Sequence, residues 1–244
     1  MPPVSYFSIL YQDQAILVVD KAAGIAVLPE RWEHDKLNLL DIVRRDYPLA
    51  VAVHRIDKET SGLLLMSLDP VSARTLQIAF EARRIGKIYH AIVAGVPSWD
   101  EMACNAPLFI DGDRLHRSVV CKPGNPQARN CESRFRVIER FRGFCLVEVV
   151  LLSGRTHQIR AHAAHLGYPI AGDHLYGGPK EIRLSAIKPK WRGDLYAEKP
   201  LLDRVGLHAR QLNFGHPSSE VAMEFFAEYP KDIRASLAQL RRLG

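Results

Sequence analysis

Cysteine is scarce in this sequence. The four residues Cys104, Cys121, Cys131 and Cys145 are spread through 244 positions with no CxxC pair, which argues against a zinc cluster or a disulfide framework and fits a reducing compartment. Long apolar runs are missing too. None nears the ~20 residues that a membrane-spanning helix requires, and the opening MPPVSYFSILYQDQ lacks a basic stretch followed by an apolar one, so a cytoplasmic protein without a membrane partner is expected. The phosphate-cradling patterns GxxxxGK[ST] and GxGxxG are absent, as are GxSxG and HExxH. These absences weigh against nucleotide-dependent, serine-hydrolase and zinc-hydrolase chemistry.

What is present is an ordinary globular composition, 47% hydrophobic and 25% charged, with a net charge of +6 from 33 Lys and Arg against 27 Asp and Glu. A basic balance of this size favours a polyanionic partner. The length suits one hydrophobic core, so residues 1–244 are expected to form a single domain.

AILVVDKAAG (15–24) reads as a buried strand closed by a Gly turn, and LNLLDIVRRDYP (37–48) as a short helix stopped by Pro48. LAVAV (49–53) and GLLLMSL (62–68) read as short buried strands. VSARTLQIAFEARRIG (71–86) has helical spacing with Gly86 at its expected end, and KIYHAIVAG (87–95) reads as a strand. Residues 99–130 read as an irregular excursion or flexible hairpin, and 178–203 as a surface loop. RFRVIER and CLVEVVLL predict a hairpin turning at Gly143. SGRTHQIRAHAAHLG predicts a strand-to-helix switch with Thr156 as N-cap and Gly167 at the end. GLHARQLNF and EVAMEFFA predict two more strands, and Pro230 opens a last helix. Strands outnumber helices and several are hairpin neighbours, which predicts an α+β fold on a mixed, mainly antiparallel sheet with flanking helices.

The chemistry-bearing candidates begin with HRIDKETSG (54–62), where Asp57 lies among His54, Arg55 and Lys58 in a loop between two core strands. Cations hold a carboxylate ionised, and an ionised Asp there can act as nucleophile, as base or only as an ion-pair partner. Tyr89 in its strand and Arg155 at the strand-to-helix turn complete a trio. A cation near a helix N-terminus is disfavoured and calls for a local partner, which a carboxylate such as Asp57 would supply. SGRTHQIRAH gathers Arg155, His157, Arg160 and His162, either as a phosphate-gripping edge or as a solvated helix face. For His157, His162, His165 and His174 packed or solvated rings are expected rather than metal ligands, since no acidic residue of that helix completes a site.

VDKAAG, HRIDKETSGLLL, KIYHAIVAG and SGRTHQIRAHAAHLGYPIAGDHLYGG together resemble the RluA-type pseudouridine synthases, in order and separation, over residues 8–230. The resemblance implies a pseudouridine synthase catalytic domain without the N-terminal S4 module that many relatives carry. It implies no cofactor, a monomer, and ribosomal or transfer RNA as partner. It places the catalytic aspartate on Asp57, the active-site tyrosine on Tyr89 and the aspartate's basic partner on Arg155. Substrate-binding positions fall on Arg55, beside the flipped nucleotide, on Leu207, lining the uracil pocket, and on His54 and Arg160. Lys21-Ala22 stands where the family often has Lys-Pro, and Ile56 where it often has Leu.

The reaction so implied breaks the N1–C1′ bond of a uridine, turns the uracil and rejoins it through C5. Asp57 would attack C1′ or take the C2′ proton, and Tyr89 would stack on the uracil. Arg83, Arg84, Lys87, Arg117 and Arg160 would grip the RNA backbone. Two rival classes are a non-catalytic RNA-binding factor on the same fold and a glycoside hydrolase pairing Asp57 with Glu59, although residues two apart on a short loop seldom flank a scissile bond.

Overall fold

The computed structural model describes residues 5–29, 36–122 and 124–243. Its chain divides into two compact units, Met1–Lys87 with His208–Glu228, and Ile88–Leu207 with Tyr229–Gly244.

In the first unit, strands β1 (Phe7–Gln12), β2 (Ile16–Lys21), β3 (Val51–Ala52) and β4 (Ser61–Ser67) pair antiparallel, β2 lying between β1 and β4 and β3 also on β4. β11 (Leu207–Gly215) joins β4 in parallel through His208 and Ala209, and β12 (Ala222–Phe226) pairs antiparallel with β11. β2 and β4 are buried nearly throughout, as their unbroken apolar runs require. The parallel step needs Gly62. Its φ is +109°, and a Cβ there would lie 2.3 Å from the Ala209 carbonyl oxygen, inside any real contact.

Helix α1 (Leu39–Val43) is capped by Asn38, which accepts from the Asp41 N–H at 3.0 Å. Helix α2 (Pro70–Glu81) is capped by Asp69, which accepts from Val71 and Ser72, with Pro70 in the first turn. The helix stops before Gly86, contrary to the expectation from sequence. Arg83 takes a left-handed φ of 56°, and Gly86 instead opens the next strand, where a side chain would collide with Asn213.

The second unit is built on β5 (Gly86–Ala94), β10 (Phe144–Leu151), β9 (Ser133–Arg140) and β6 (Glu101–Cys104), each antiparallel to the next in that order. The excursion at 99–130 is therefore more ordered than expected. It supplies β6 and the small hairpin β7 (Leu108–Phe109) and β8 (Val119–Val120).

Helix α3 (Gln158–His165) follows β10. The segment 178–203 also departs from a plain surface loop. It contains the short helix α4 (Leu184–Ile187), and Ile182 and Leu202 bridge each other at 1% exposure. Both join a core with Ile92, Leu146, Ala171 and the Ile233, Leu237 and Leu240 face of α5 (Lys231–Leu243). The mixed, mainly antiparallel architecture read from the sequence is the one observed.

Candidate functional site

In the first unit, the antiparallel pairing of Ala52 with Met66 leaves residues 53–60 as the loop of a β3–β4 hairpin. Ile56 is buried, while Arg55 is exposed and Asp57 half-buried. Apolar burial of the residue between them leaves the two charged neighbours toward the surface.

The loop is fixed from beneath. Lys21, opposite Gly62 on β4, is completely buried, and its ammonium donates to the carbonyls of Ala22 at 2.8 Å, Ile25 at 2.9 Å and Lys58 at 3.1 Å. The Gly24 N–H bonds the same Lys58 carbonyl at 2.8 Å, and the Thr60 N–H closes a turn onto Asp57 O at 3.0 Å. A buried ammonium requires such partners, and here, with the Thr60 turn, they hold the backbone at Asp57 and just after it. The sequence showed Lys21 only as part of a strand-end motif, and no periodicity marks it as an anchor.

His54 holds the loop from its other end. Its Nε2 accepts the Leu65 N–H at 2.9 Å, and its ring stacks on Phe80 with centroids 4.7 Å apart. Burial, with Lys87 nearby, pushes its pKa down to about 3. The ring is thus neutral near pH 7, with Nε2 as acceptor and the proton on Nδ1. It serves the site through the loop's position, not as a cation for phosphate. Lys87 lies over the other partner of the stack, 5.7 Å from the Phe80 centroid, and burial followed by the like charge of Arg83 lowers its pKa.

In the second unit, Tyr89 is 7% exposed on β5 opposite Val149 of β10. Leu207 is buried at the start of β11. Arg155 is exposed in the turn between β10 and α3, and the backbone around it is tightly held. Gln158, itself buried, accepts the Arg155 N–H at 3.1 Å and the Ser153 hydroxyl at 2.9 Å, and donates to Glu132 O and Ser133 Oγ, both at 2.9 Å. All of its amide's polar groups face partners that a buried amide needs. Thr156 is not the N-cap. That position is His157, in a left-handed conformation with φ 53° and no side-chain cap bond.

Arg160 corrects another expectation. It is 7% exposed, and its guanidinium makes a two-pronged ion pair with Asp173, Nε to Oδ2 at 2.7 Å and Nη2 to Oδ1 at 2.8 Å, while stacking over Tyr176. A buried fork committed to an internal carboxylate does not grip an RNA backbone. Arg117 is likewise tied, to Asp113 and the Leu175 carbonyl.

His162 is fully buried, with Nδ1 3.0 Å from Ser133 Oγ and Nε2 2.9 Å from the Ala106 carbonyl. Burial lowers its pKa. It is a packed histidine, as its sequence context suggested. Among the described residues no group of His, Cys, Asp and Glu is arranged to hold a metal, and no helix is long and apolar enough to cross a membrane.

A family profile described as RNA pseudouridylate synthase matches residues 15–165, a span that includes the Asp57 loop, Tyr89 and Arg155. The chain belongs to this family. It is thus an isomerase of the pseudouridine synthase family, acting on uridines in RNA. Ribosomal large subunit pseudouridine synthase D of Pseudomonas aeruginosa is 36% identical over 96% of this chain and 72% of that protein. The dual-specificity RNA pseudouridine synthase RluA of Salmonella typhi is 34% identical over 92% of this chain and 94% of its own length. The solved structure of human RNA pseudouridylate synthase domain containing 4 superposes with a TM-score of 0.73 at 22% identity, covering 96% of this chain and 93% of that one, which supports the fold. Membership in the RNA pseudouridylate synthase family sets aside both rivals raised from the sequence.

Proposed function

We propose that this pseudouridine synthase acts in the cytoplasm on a uridine of ribosomal or transfer RNA, as a monomer and with residues 1–244 working as one catalytic domain, with Asp57 as its catalytic residue. The observation that carries the proposal is the Asp57 loop itself, a half-buried carboxylate on a backbone fixed by the buried Lys21 ammonium and by the neutral His54 ring. Positioning of this kind is what a reacting group needs. The names of the relatives, one for the large ribosomal subunit and one dual-specificity, support ribosomal or transfer RNA as the substrate class.

The target uridine leaves its stack at a cost of about a few kcal/mol, and the exposed Arg55 fills the vacated space. Asp57 then acts at the ribose, at C1′ as nucleophile or at C2′ as base. The N1–C1′ bond breaks, the uracil turns, and a C5–C1′ bond forms as the Asp57–C1′ bond breaks or as the proton taken from C2′ returns; the C5 proton leaves to solvent and N1 gains one. No electron or phosphate is consumed. Tyr89 supplies a ring for the uracil to stack on, Leu207 an apolar wall, and Arg155 a basic partner for the reaction. Arg83, Arg84 and Lys87 grip the RNA backbone.

The test is tritium release from C5-labelled RNA, drawn from a strain deleted for this protein. Wild type should release tritium and Asp57→Asn should not, while RNA binding by the variant persists. Equal loss of binding and release counts against the assignment of Asp57. No release by wild type from ribosomal or transfer RNA, with salt-sensitive binding retained, counts against that substrate class.

A further inference from the structure

Three successive residues of the turn that carries Arg155 are each held by a different side chain. The Arg155 N–H goes to Gln158, and the Thr156 carbonyl accepts the Ser118 hydroxyl at 2.5 Å. His157 Nδ1 lies 3.2 Å from the Tyr176 hydroxyl, with the two rings edge to face. The Tyr176 hydroxyl also accepts the Ser118 N–H at 2.9 Å and lies 3.2 Å from the Ser118 carbonyl. One hydroxyl proton satisfies the set if it goes to Ser118 O while His157 Nδ1–H donates to the oxygen. The Tyr176 ring is itself fixed, with the Arg160 guanidinium 5.1 Å and the Arg117 guanidinium 5.8 Å from its centroid.

A non-glycine residue in the left-handed region is strained and persists only where its surroundings over-determine it. His157 meets that description. The strain does not serve capping, since His157 makes no side-chain cap bond. It sets the path of the chain from Arg155 into α3.

We propose that Tyr176, with Ser118, is a positioning clamp for Arg155, joining the β7–β8 hairpin to the turn so that the exposed guanidinium is presented from a rigid backbone. The proposal rests on the reading of Arg155 as an active-site residue. It assigns a role in the reaction to two residues that need touch neither the RNA nor the reacting atoms.

Tyr176→Phe keeps the ring beside its two guanidinia and removes the hydroxyl alone. The experiment measures kcat and KM by tritium release for wild type, Tyr176→Phe, Arg155→Ala and the double variant, with thermal unfolding of each. The expected result is a kcat lowered by about tenfold or more in Tyr176→Phe, the scale on which small misplacements of catalytic groups act, with KM little changed. In the Arg155→Ala background the same substitution should cost less than about twofold, because residues acting through one group are non-additive. Full activity of Arg155→Ala refutes the reading of Arg155 itself. A reduced Arg155→Ala with a Tyr176→Phe effect that simply multiplies onto it refutes the clamp and leaves that reading standing, as does an unchanged kcat in Tyr176→Phe. If Tyr176→Phe does not fold, Ser118→Ala, which removes only the hydroxyl held by Thr156, carries the same cycle with the same outcomes.

Discussion

Replacing Lys21 by Met is the most direct perturbation of the Asp57 loop that leaves Asp57 itself untouched. Met follows the path of the lysine stem but cannot donate to Ala22 O, Ile25 O and Lys58 O. Hydrogen bonds from a charged group contribute about 1.5–3 kcal/mol each, a gross loss of about 4–9 kcal/mol. Against this, the wild type carries the desolvation cost of a wholly buried ammonium, several kcal/mol in real proteins, which Met escapes. The Lys58 carbonyl also keeps the Gly24 N–H. The net is a destabilisation of about 2–4 kcal/mol. For a chain of 244 residues this lowers Tm by about 5–15 °C. Urea denaturation gives the free energy, and hydrogen exchange at the Gly24 and Thr60 amides reports the loop directly. Activity measured well below the new Tm should fall with the rise in exchange at Thr60, whose bond to Asp57 O defines the turn. A stability loss below about 1 kcal/mol with exchange unchanged would refute the assignment of Lys21 as the anchor of this loop.

Two other perturbations have signs fixed by the structure. His54 has its pKa lowered from 6.5 to about 3, so the unfolded chain binds a proton there that the folded chain does not. Its contribution to stability is full above pH 6.5 and falls as pH drops from there toward 3. At about 1.4 kcal/mol per pKa unit the ceiling is about 5 kcal/mol, reduced by the ring's partial exposure. His54→Gln should flatten the acid side of a stability-against-pH curve, and an acid limb identical to wild type would contradict the burial of a neutral ring. Asp173→Asn leaves the Arg160 guanidinium buried without its carboxylate, and removing one member of a buried pair costs about 3–5 kcal/mol. Thermal unfolding checks this, and a Tm within about 3 °C of wild type would mean that the pair is hydrated.

The sequence by itself determined most of the longer strands, the family and the residues worth testing, but not β1 or the strands within 99–130. The short apolar runs of β2 and β4 between turn signals read as buried strands, the turn signals bound the loop that holds Asp57, and HRIDKETSG with GRTHQIR carries the resemblance that the family profile bears out. Those features are local, written in adjacent residues or at fixed periods. Only the tertiary structure decided what each polar side chain does. Arg160 reads in sequence as one more cation on a basic helix and is in fact paired with Asp173, thirteen positions on. His54 falls at a substrate-binding position by resemblance, and its ring accepts a strand amide. Lys21 reaches the carbonyl of Lys58 thirty-seven positions away, and Ser118 and Tyr176 meet across fifty-eight. A buried polar group must find a partner, but which partner depends on what the fold brings within 3 Å, and neither spacing nor composition encodes that distance.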